Sequence, residues 1–168
     1  MLASHFGIAG GDLGTMQTIQ HMRRIVNSAT GDPLTRRTAA AIGIAHGGKH
    51  GYPQARGIRA YLDERCVFLR DPMNRELLHH PAVMLQDILR QGYTAVDCDD
   101  VAILGAALGK AIGLRARFVV VGFSSPTAPF RHIWTELSDP YKIRWVECDI
   151  TRPSQPDFVI GRAKIVNV

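Results

Sequence analysis

The chain has 168 residues, of which 46% are hydrophobic and 21% charged; this length and balance fit one globular domain with its own core. They exclude a predominantly disordered chain, and no apolar run approaches the roughly 18 residues of a membrane span. The net charge of +5 rests on 16 Arg and 4 Lys. Because these basic residues are scattered rather than clustered in a stripe with aromatics, we expect no nucleic-acid partner.

The N-terminal region is predicted to form two helices. Apolar residues recur at helical spacing from Thr15 to Asn27, and the Gly31-Asp32-Pro33 turn ends that helix and begins a second, from Leu34 to about Ile44. The stretch from Ala45 to Pro53 is rich in glycine, which predicts a loop. Met1 to Gly14 lacks the features of a signal peptide, so we expect a protein that is cytoplasmic when made.

The middle of the chain alternates short elements. The predicted elements are a helix over Ala55–Arg65, a strand over Cys66–Leu69, a helix over Pro81–Arg90 that Gly92 ends, and an extended segment over Tyr93–Val96. We therefore divide the chain into an N-terminal helical segment, residues 1–54, packed on a domain formed by residues 55–168.

A strongly apolar helix is predicted to begin at the acidic segment Asp97–Asp100 and to end at Gly113. Its many small residues would allow close packing inside a core. Strand-like runs follow at Ala116–Phe123, Arg131–Leu137, Ile143–Asp149 and Ala163–Val168. Helices first and an antiparallel meander later predict an α+β fold rather than alternating βαβ units.

Three residues in this region could act together as a thiol catalyst. Cys98 lies in the first helical turn, where unpaired N–H groups and the helix dipole favour a thiolate. His132 begins one predicted strand and Asp149 ends the next, and an antiparallel pair brings these two positions side by side. A thiol, a base and an acceptor that orients the base are the components of nucleophilic catalysis.

The acidic neighbours of Cys98 oppose its ionisation. Asp97, Asp99 and Asp100 surround the thiol with negative charge, which would raise its pKa. Either Asp97 or Asp99 could instead cap the helix, and Asp100 could pair with an Arg. The sequence leaves these assignments open.

These segments resemble the transglutaminase-like superfamily, in its small bacterial and phage branch. The resemblance implies a papain-like fold, a catalytic helix packed on an antiparallel sheet, with Cys98 as nucleophile, His132 as general base and acid, and Asp149 orienting the imidazole. The matching segments are Asp97–Asp100 with the helix after it, Gly113–Val119, His132–Leu137, Arg144–Thr151 and, for the phage branch, Arg70–Leu77 with the N-terminal helical hairpin.

The chain departs from the family pattern at three positions next to these motifs. Val96 replaces a frequent Gly, Val101 a frequent polar residue and Ile150 a frequent Pro. Val96 and Val101 could alter access to Cys98. The second donor of an oxyanion hole is open, with Gln86 or Tyr93 as candidates.

Thiol-dependent acyl transfer on amide bonds is the function that the resemblance implies. We expect hydrolysis, by a cysteine peptidase or amidase encoded by a phage, because water is always present whereas transfer needs a dedicated amine site. The substrate would be a peptide or protein amide, with no metal and no cofactor. Two alternatives remain. The chain could be a structural component of a phage virion that contacts other virion proteins and has little activity, or a bacterial enzyme acting on cell-wall peptides.

Structural roles are predicted for other residues with reactive or aromatic side chains. Three cysteines without paired spacing predict free thiols, and Cys66 and Cys148 lie in apolar strands that favour the core. Trp134 and Trp145 could line the site or pack in the core. Glu136 is expected to be solvated or bound to an Arg.

Overall fold

The computed structural model describes residues 3–4, 11–46, 51–69, 77–141, 144–151 and 159–168 and confirms the α+β class. Its helices are α1 (Gly11–Ala29), α2 (Pro33–Ala45), α3 (Gly51–Arg65), α4 (Pro81–Gln91) and α5 (Cys98–Ala111). Its strands are β1 (Ala3–Ser4), β2 (Cys66–Phe68), β3 (Leu78–His79), β4 (Thr94–Val96), β5 (Arg115–Phe123), β6 (His132–Ser138), β7 (Trp145–Cys148) and β8 (Ile160–Asn167). None of the described helices has the length and apolar character needed to span a bilayer.

Helix α5 is the centre of the core. Every residue from Asp100 to Gly109 is buried, since the sheet packs against one side of the helix and α1 to α4 pack around the rest. Helix and sheet are also joined by a buried hydrogen bond, in which the Thr135 hydroxyl donates to the Ala102 carbonyl at 2.7 Å. The start of α5 is therefore held at a defined place against β6.

The main sheet has four antiparallel strands in the order β7-β6-β5-β8. Strands β5, β6 and β7 form the meander that the sequence predicts. They are joined by short connections, so that the end of β7 lies beside the start of β6. Strand β8 adds to the free edge of β5. This topology decides which side chains meet at the end of the sheet nearest Cys98.

The N-terminal helices belong to the same hydrophobic core as α5. Ile19 and Met22 of α1 and Ala39 of α2 are buried in one cluster with the residues of α5. Asp32 accepts the N–H of Thr35 at 2.8 Å and caps α2, as the turn signals predict. The division of the chain at residue 54 stays a prediction.

The predicted loop over Ala45–Pro53 is wrong at its end, because α3 already begins at Gly51. A distant contact explains the difference. The Asp139 carboxylate accepts the Gly51 N–H at 3.2 Å, and Arg144 covers the Tyr52 ring at 3.9 Å. Residues 47–50 of that loop, like Arg70–Glu76 of the family segment, lie outside the described residues.

Two small sheets fix the approach to α5. Strands β2 and β4 pair in parallel, and the Leu69 N–H donates to the Val96 carbonyl at 2.8 Å, immediately before Asp97. Strand β3 pairs with β1 in the antiparallel sense. The sequence does not predict the parallel pair.

Candidate functional site

Cys98 lies in the first turn of α5, as predicted, and is the first residue of the helix. Asp97 has extended backbone angles and caps the helix, because its carboxylate accepts the N–H groups of Asp99 at 3.1 Å and Asp100 at 3.2 Å. Of the two capping alternatives, the structure therefore selects Asp97. The cap fixes the first turn with the Cys98 thiol half-buried.

Asp100 pairs with His79 and with no Arg among the described residues, whereas the sequence left a pairing with an Arg open. Its side chain is buried, and both of its carboxylate oxygens bind His79, one to the backbone N–H at 2.8 Å and the other to Nδ1 at 2.7 Å. Folding brings β3 against α5, and a partner 21 residues away has no local signal in the sequence.

His132 and Asp149 meet at the end of the sheet. Nε2 of His132 and Oδ2 of Asp149 are 2.8 Å apart, and the two residues are only 7% and 5% exposed. The other carboxylate oxygen accepts the Thr151 N–H at 3.0 Å and the Thr151 hydroxyl at 3.3 Å. The carboxylate is thus held from both sides, and His132 keeps Nδ1 for another partner. The Asp-x-Thr spacing is a signal for this turn that the sequence interpretation missed.

The Cys98 thiol lies beside the start of β6. The backbone N–H of Ile133, the residue after His132, lies near enough to the thiol to lower its pKa, and Sγ donates to Oδ1 of Asp99 at 3.5 Å. Burial raises the pKa of Cys98, and the carboxylates of Asp99 and Asp97 raise it further, whereas the Ile133 N–H lowers it. The thiol alone therefore stays protonated at neutral pH, and ionisation needs a base.

Neutralising Asp99 should make Cys98 more reactive. The Asp99→Asn variant removes the nearest negative charge, so the pKa of Cys98 falls and alkylation at pH 7 accelerates by about threefold to tenfold. Intact-mass kinetics with iodoacetamide measure the rate. Asp63→Asn, at an exposed carboxylate paired with Arg59, is the matched control and should leave the rate unchanged. A rate in Asp99→Asn equal to the control would show that Asp99 does not oppose ionisation.

Aromatic rings surround the imidazole of His132. The ring centroids of Phe123 and Trp134 lie 6.2 Å and 5.7 Å from that of His132, and Trp134 is buried. The sequence left open whether Trp134 lines the site or packs in the core. It does both, since it packs in a small apolar cluster and lies against His132. Trp145 instead contacts Arg117, whose guanidinium is 3.9 Å from its ring centroid.

The remaining sequence candidates have ordinary surroundings. Val96 and Val101 are buried in the core, and Gln86 and Tyr93 are exposed. Glu136 binds Arg117 at 2.6 Å, as predicted. Among the residues that the structure describes, no group of three or more His, Cys, Asp or Glu side chains could hold a metal ion.

Cys66 and Cys148 are buried core residues, as predicted. The pKa of each thiol is raised to about 12, mainly by burial; nearby Asp100 contributes to the increase at Cys66, whereas Arg59 opposes it at Cys148. The unfolded chain loses these protons near pH 8.5, well before the folded protein does. The free energy of unfolding therefore has its full value below that pH and falls above it.

The protein should accordingly lose stability at alkaline pH through these thiols. Between about pH 8.5 and 12 each buried thiol lowers the free energy of unfolding by about 1.4 kcal/mol per pH unit. Urea unfolding under reducing conditions at pH 8 to 10 measures the slope. Cys148→Ala should have a lower starting stability but a shallower slope than wild type. Parallel slopes would contradict an alkaline loss through Cys148.

One comparison with known proteins gave a match. The family model described as transglutaminase-like superfamily matches residues 38–150, which is more than half of the chain and contains Cys98, His132 and Asp149. No curated protein and no solved structure matches the chain significantly. The antiparallel sheet packed on a buried helix with Cys98 at its start agrees with this match, and the chain belongs to the transglutaminase-like superfamily.

Proposed function

We propose that the protein is a cysteine-dependent hydrolase of amide bonds in peptides or proteins, with Cys98, His132 and Asp149 as its catalytic residues. The superfamily supports cysteine-dependent acyl transfer as the general chemistry. The observation that carries the assignment is the buried hydrogen bond between His132 and Asp149 at 2.8 Å. It lies at the start of β6, where the Ile133 N–H contacts the Cys98 thiol.

The imidazole has the arrangement that a base needs. Asp149 accepts the proton on Nε2, which leaves Nδ1 with its lone pair available for the thiol proton. The Asp149 carboxylate also stabilises the imidazolium that forms after proton transfer. Since burial and Asp99 keep Cys98 protonated on its own, the thiolate forms only as a partner of this imidazolium.

The proposed reaction has two halves. In the first, the Cys98 thiolate attacks the amide carbonyl, His132 gives its proton to the leaving amine, and a thioester forms. In the second, His132 takes a proton from water, the hydroxide attacks the thioester, and the acid leaves as Cys98 recovers its proton from His132. Hydrolysis is favoured over transfer because it needs no second binding site.

The start of α5 would stabilise the oxyanion of each tetrahedral intermediate. The Asp97 carboxylate uses the N–H groups of Asp99 and Asp100. The Cys98 N–H is therefore the first-turn donor that we assign to the oxyanion, with the helix dipole adding to its effect. Gln86 and Tyr93, the residues considered for the second donor, are exposed, and we assign neither of them.

Alkylation of Cys98 tests the proposal without knowledge of the substrate. Intact-mass labelling with iodoacetamide from pH 5 to 9 compares wild type with Cys98→Ala and His132→Ala. We expect one thiol to label rapidly below pH 7, no such label in Cys98→Ala, and a rate about a hundredfold lower in His132→Ala. If Cys98 labels no faster than a free thiol, or at a rate independent of His132, the proposal that the protein is a cysteine-dependent enzyme is refuted.

A second candidate, an inert structural component, has one observation in its favour. Cys98 is half-buried, and burial together with Asp99 raises its pKa, as in an unreactive core thiol. The phage origin and the virion role are hypotheses from the sequence resemblance. The alkylation experiment separates the two candidates, since a structural component needs no reactive thiolate.

A further inference from the structure

A second pair of an aspartate and a histidine joins the first turn of α5, through Asp100, to β3, through His79. Asp100 is only 1% exposed, and both of its oxygens are bound by His79. A buried carboxylate is costly unless it is paired and hydrogen-bonded. The proposed reaction does not use this pair, although Asp100 is only two residues from Cys98.

The pair joins the first turn of α5 to a fixed part of the core. Leu78, the neighbour of His79 in β3, is buried at 1% exposure, and β3 pairs with β1. The Asp100 N–H in turn donates to Asp97. A continuous set of hydrogen bonds therefore runs from β3 through Asp100 to the helix cap.

This connection matters because the start of a helix is its least constrained part. Farther along α5, the Thr135 hydroxyl holds the Ala102 carbonyl, but that bond lies on the far side of Asp100 from Cys98 in the chain. The contact between the Cys98 thiol and the Ile133 N–H depends on where the first turn lies. A displacement of 1 Å at a reacting atom can cost about a hundredfold in rate.

We propose that His79 and Asp100 are a positioning pair that holds the first turn of α5 so that the Cys98 thiol lies against the start of β6. This proposal rests on the proposed function, because the position of Cys98 matters for the reaction only if Cys98 is the nucleophile. The proposed reaction gives neither residue a chemical step. Their contribution is the position of Cys98, and the bidentate contact between His79 and Asp100 supplies it.

Four variants test the pair. His79→Ala removes the side-chain donor to Asp100, whereas His79→Asn places an amide N–H where Nδ1 stood and can restore the hydrogen bond. Asp100→Asn removes the negative charge of the other member of the pair. His80→Ala is the matched control. It removes a neighbouring imidazole that caps α4 through the Ala82 N–H and lies 3.3 Å from the Ser28 hydroxyl, with no hydrogen bond to α5 among the residues that the structure describes.

Two measurements are made on each folded variant. Hydrogen–deuterium exchange reports the amides of Asp99, Asp100 and Val101, all of which donate to Asp97. Iodoacetamide labelling reports the reactivity of Cys98. In His79→Ala and Asp100→Asn we expect exchange of these amides to accelerate and labelling to slow, each by about tenfold. His79→Asn should recover both quantities to within about threefold, and His80→Ala should change neither.

Unchanged exchange at these amides in His79→Ala would overturn the proposal. Equal changes in His79→Ala and His80→Ala would also overturn it, because a general loss of stability would then explain both changes. If His79→Ala does not fold, His79→Asn and Asp100→Asn decide in the same way. Failure of the proposed function has a different signature. Labelling would then be independent of His132 in otherwise wild-type protein, while the effect of His79→Ala on exchange would remain.

Discussion

Asn in place of Asp149 should inactivate the site as fully as Ala does, because Thr151 determines which atom of the side chain faces His132. The Thr151 N–H and hydroxyl both donate to Oδ1 of Asp149, and an amide would keep its carbonyl oxygen there. The amide NH₂ would then face Nε2 of His132. Two donors cannot share a hydrogen bond, so Nε2 would have to act as the acceptor.

This change of hydrogen-bond partner at Nε2 leaves His132 in the wrong tautomer. With Nε2 accepting, the neutral imidazole carries its proton on Nδ1, the nitrogen that the proposed reaction needs as a base. We expect the rate of Cys98 alkylation at pH 7 to fall by about a hundredfold or more in Asp149→Asn and in Asp149→Ala alike. Thr151→Val retains the backbone donor and should lose much less.

Asp63→Asn provides the control for the chemical change itself, because Asp63 is an exposed carboxylate paired with Arg59 at 3.0 Å. Its alkylation rate should equal that of wild type. A rate in Asp149→Asn close to wild type, with Asp149→Ala inactive, would mean that the amide presents its oxygen to His132 and that Thr151 does not fix the orientation. Normal rates in both variants would remove Asp149 from the mechanism.

The pairing of His132 with Asp149 could be predicted from the sequence, because it depends on local signals. The short turn near Ser138 makes β6 and β7 antiparallel neighbours, so the first residue of one strand must lie near the end of the next. The start of α5 at Cys98 likewise depends on its own N-cap residue. Each of these features is determined within a few residues of the chain.

Features that depend on distant partners could not be predicted. Three aspartates near Cys98 look alike in the sequence, yet Asp97 caps the helix, Asp99 accepts from the thiol, and Asp100 binds His79. The first helical turn of α3 needs Asp139, which is 88 residues away. Periodicity and turn residues contain no information on such contacts, because any carboxylate that reaches the site would serve.

This difference matters for the charge around the thiol. A simple sum over the sequence places three negative charges beside Cys98, whereas the structure uses two of them in other hydrogen bonds, one with backbone N–H groups and one with His79. Asp99 remains the carboxylate that contacts the thiol. The opposition to ionisation therefore comes first from burial and then from two neighbours, Asp99 and Asp97, and in the proposed reaction the imidazolium of His132 is the charge that offsets it.

Gly109 should tolerate a methyl group far less well than Gly105, although both lie in α5 four residues apart. A Cβ at Gly109 would overlap Cδ2 of Leu137 and lie 3.1 Å from its Cδ1, and Leu137 is fully buried. A Cβ at Gly105 would lie 3.2 Å from Cδ1 of Leu62 and 3.7 Å from Cβ of Thr135. The gain in helix propensity, about 1 kcal/mol, is the same for both substitutions.

The comparison of the two alanine variants therefore isolates the packing of α5 against β6. We expect Gly109→Ala to be less stable than Gly105→Ala by about 1 to 3 kcal/mol in urea unfolding, which is the usual cost of forcing a methyl into a filled core. Leu137→Val shortens the side chain that Gly109 meets, so the double variant should lose less stability than the sum of the two single ones. Equal stabilities of Gly109→Ala and Gly105→Ala, or simple additivity in the double variant, would show that contact with Leu137 does not set the distance between helix and sheet.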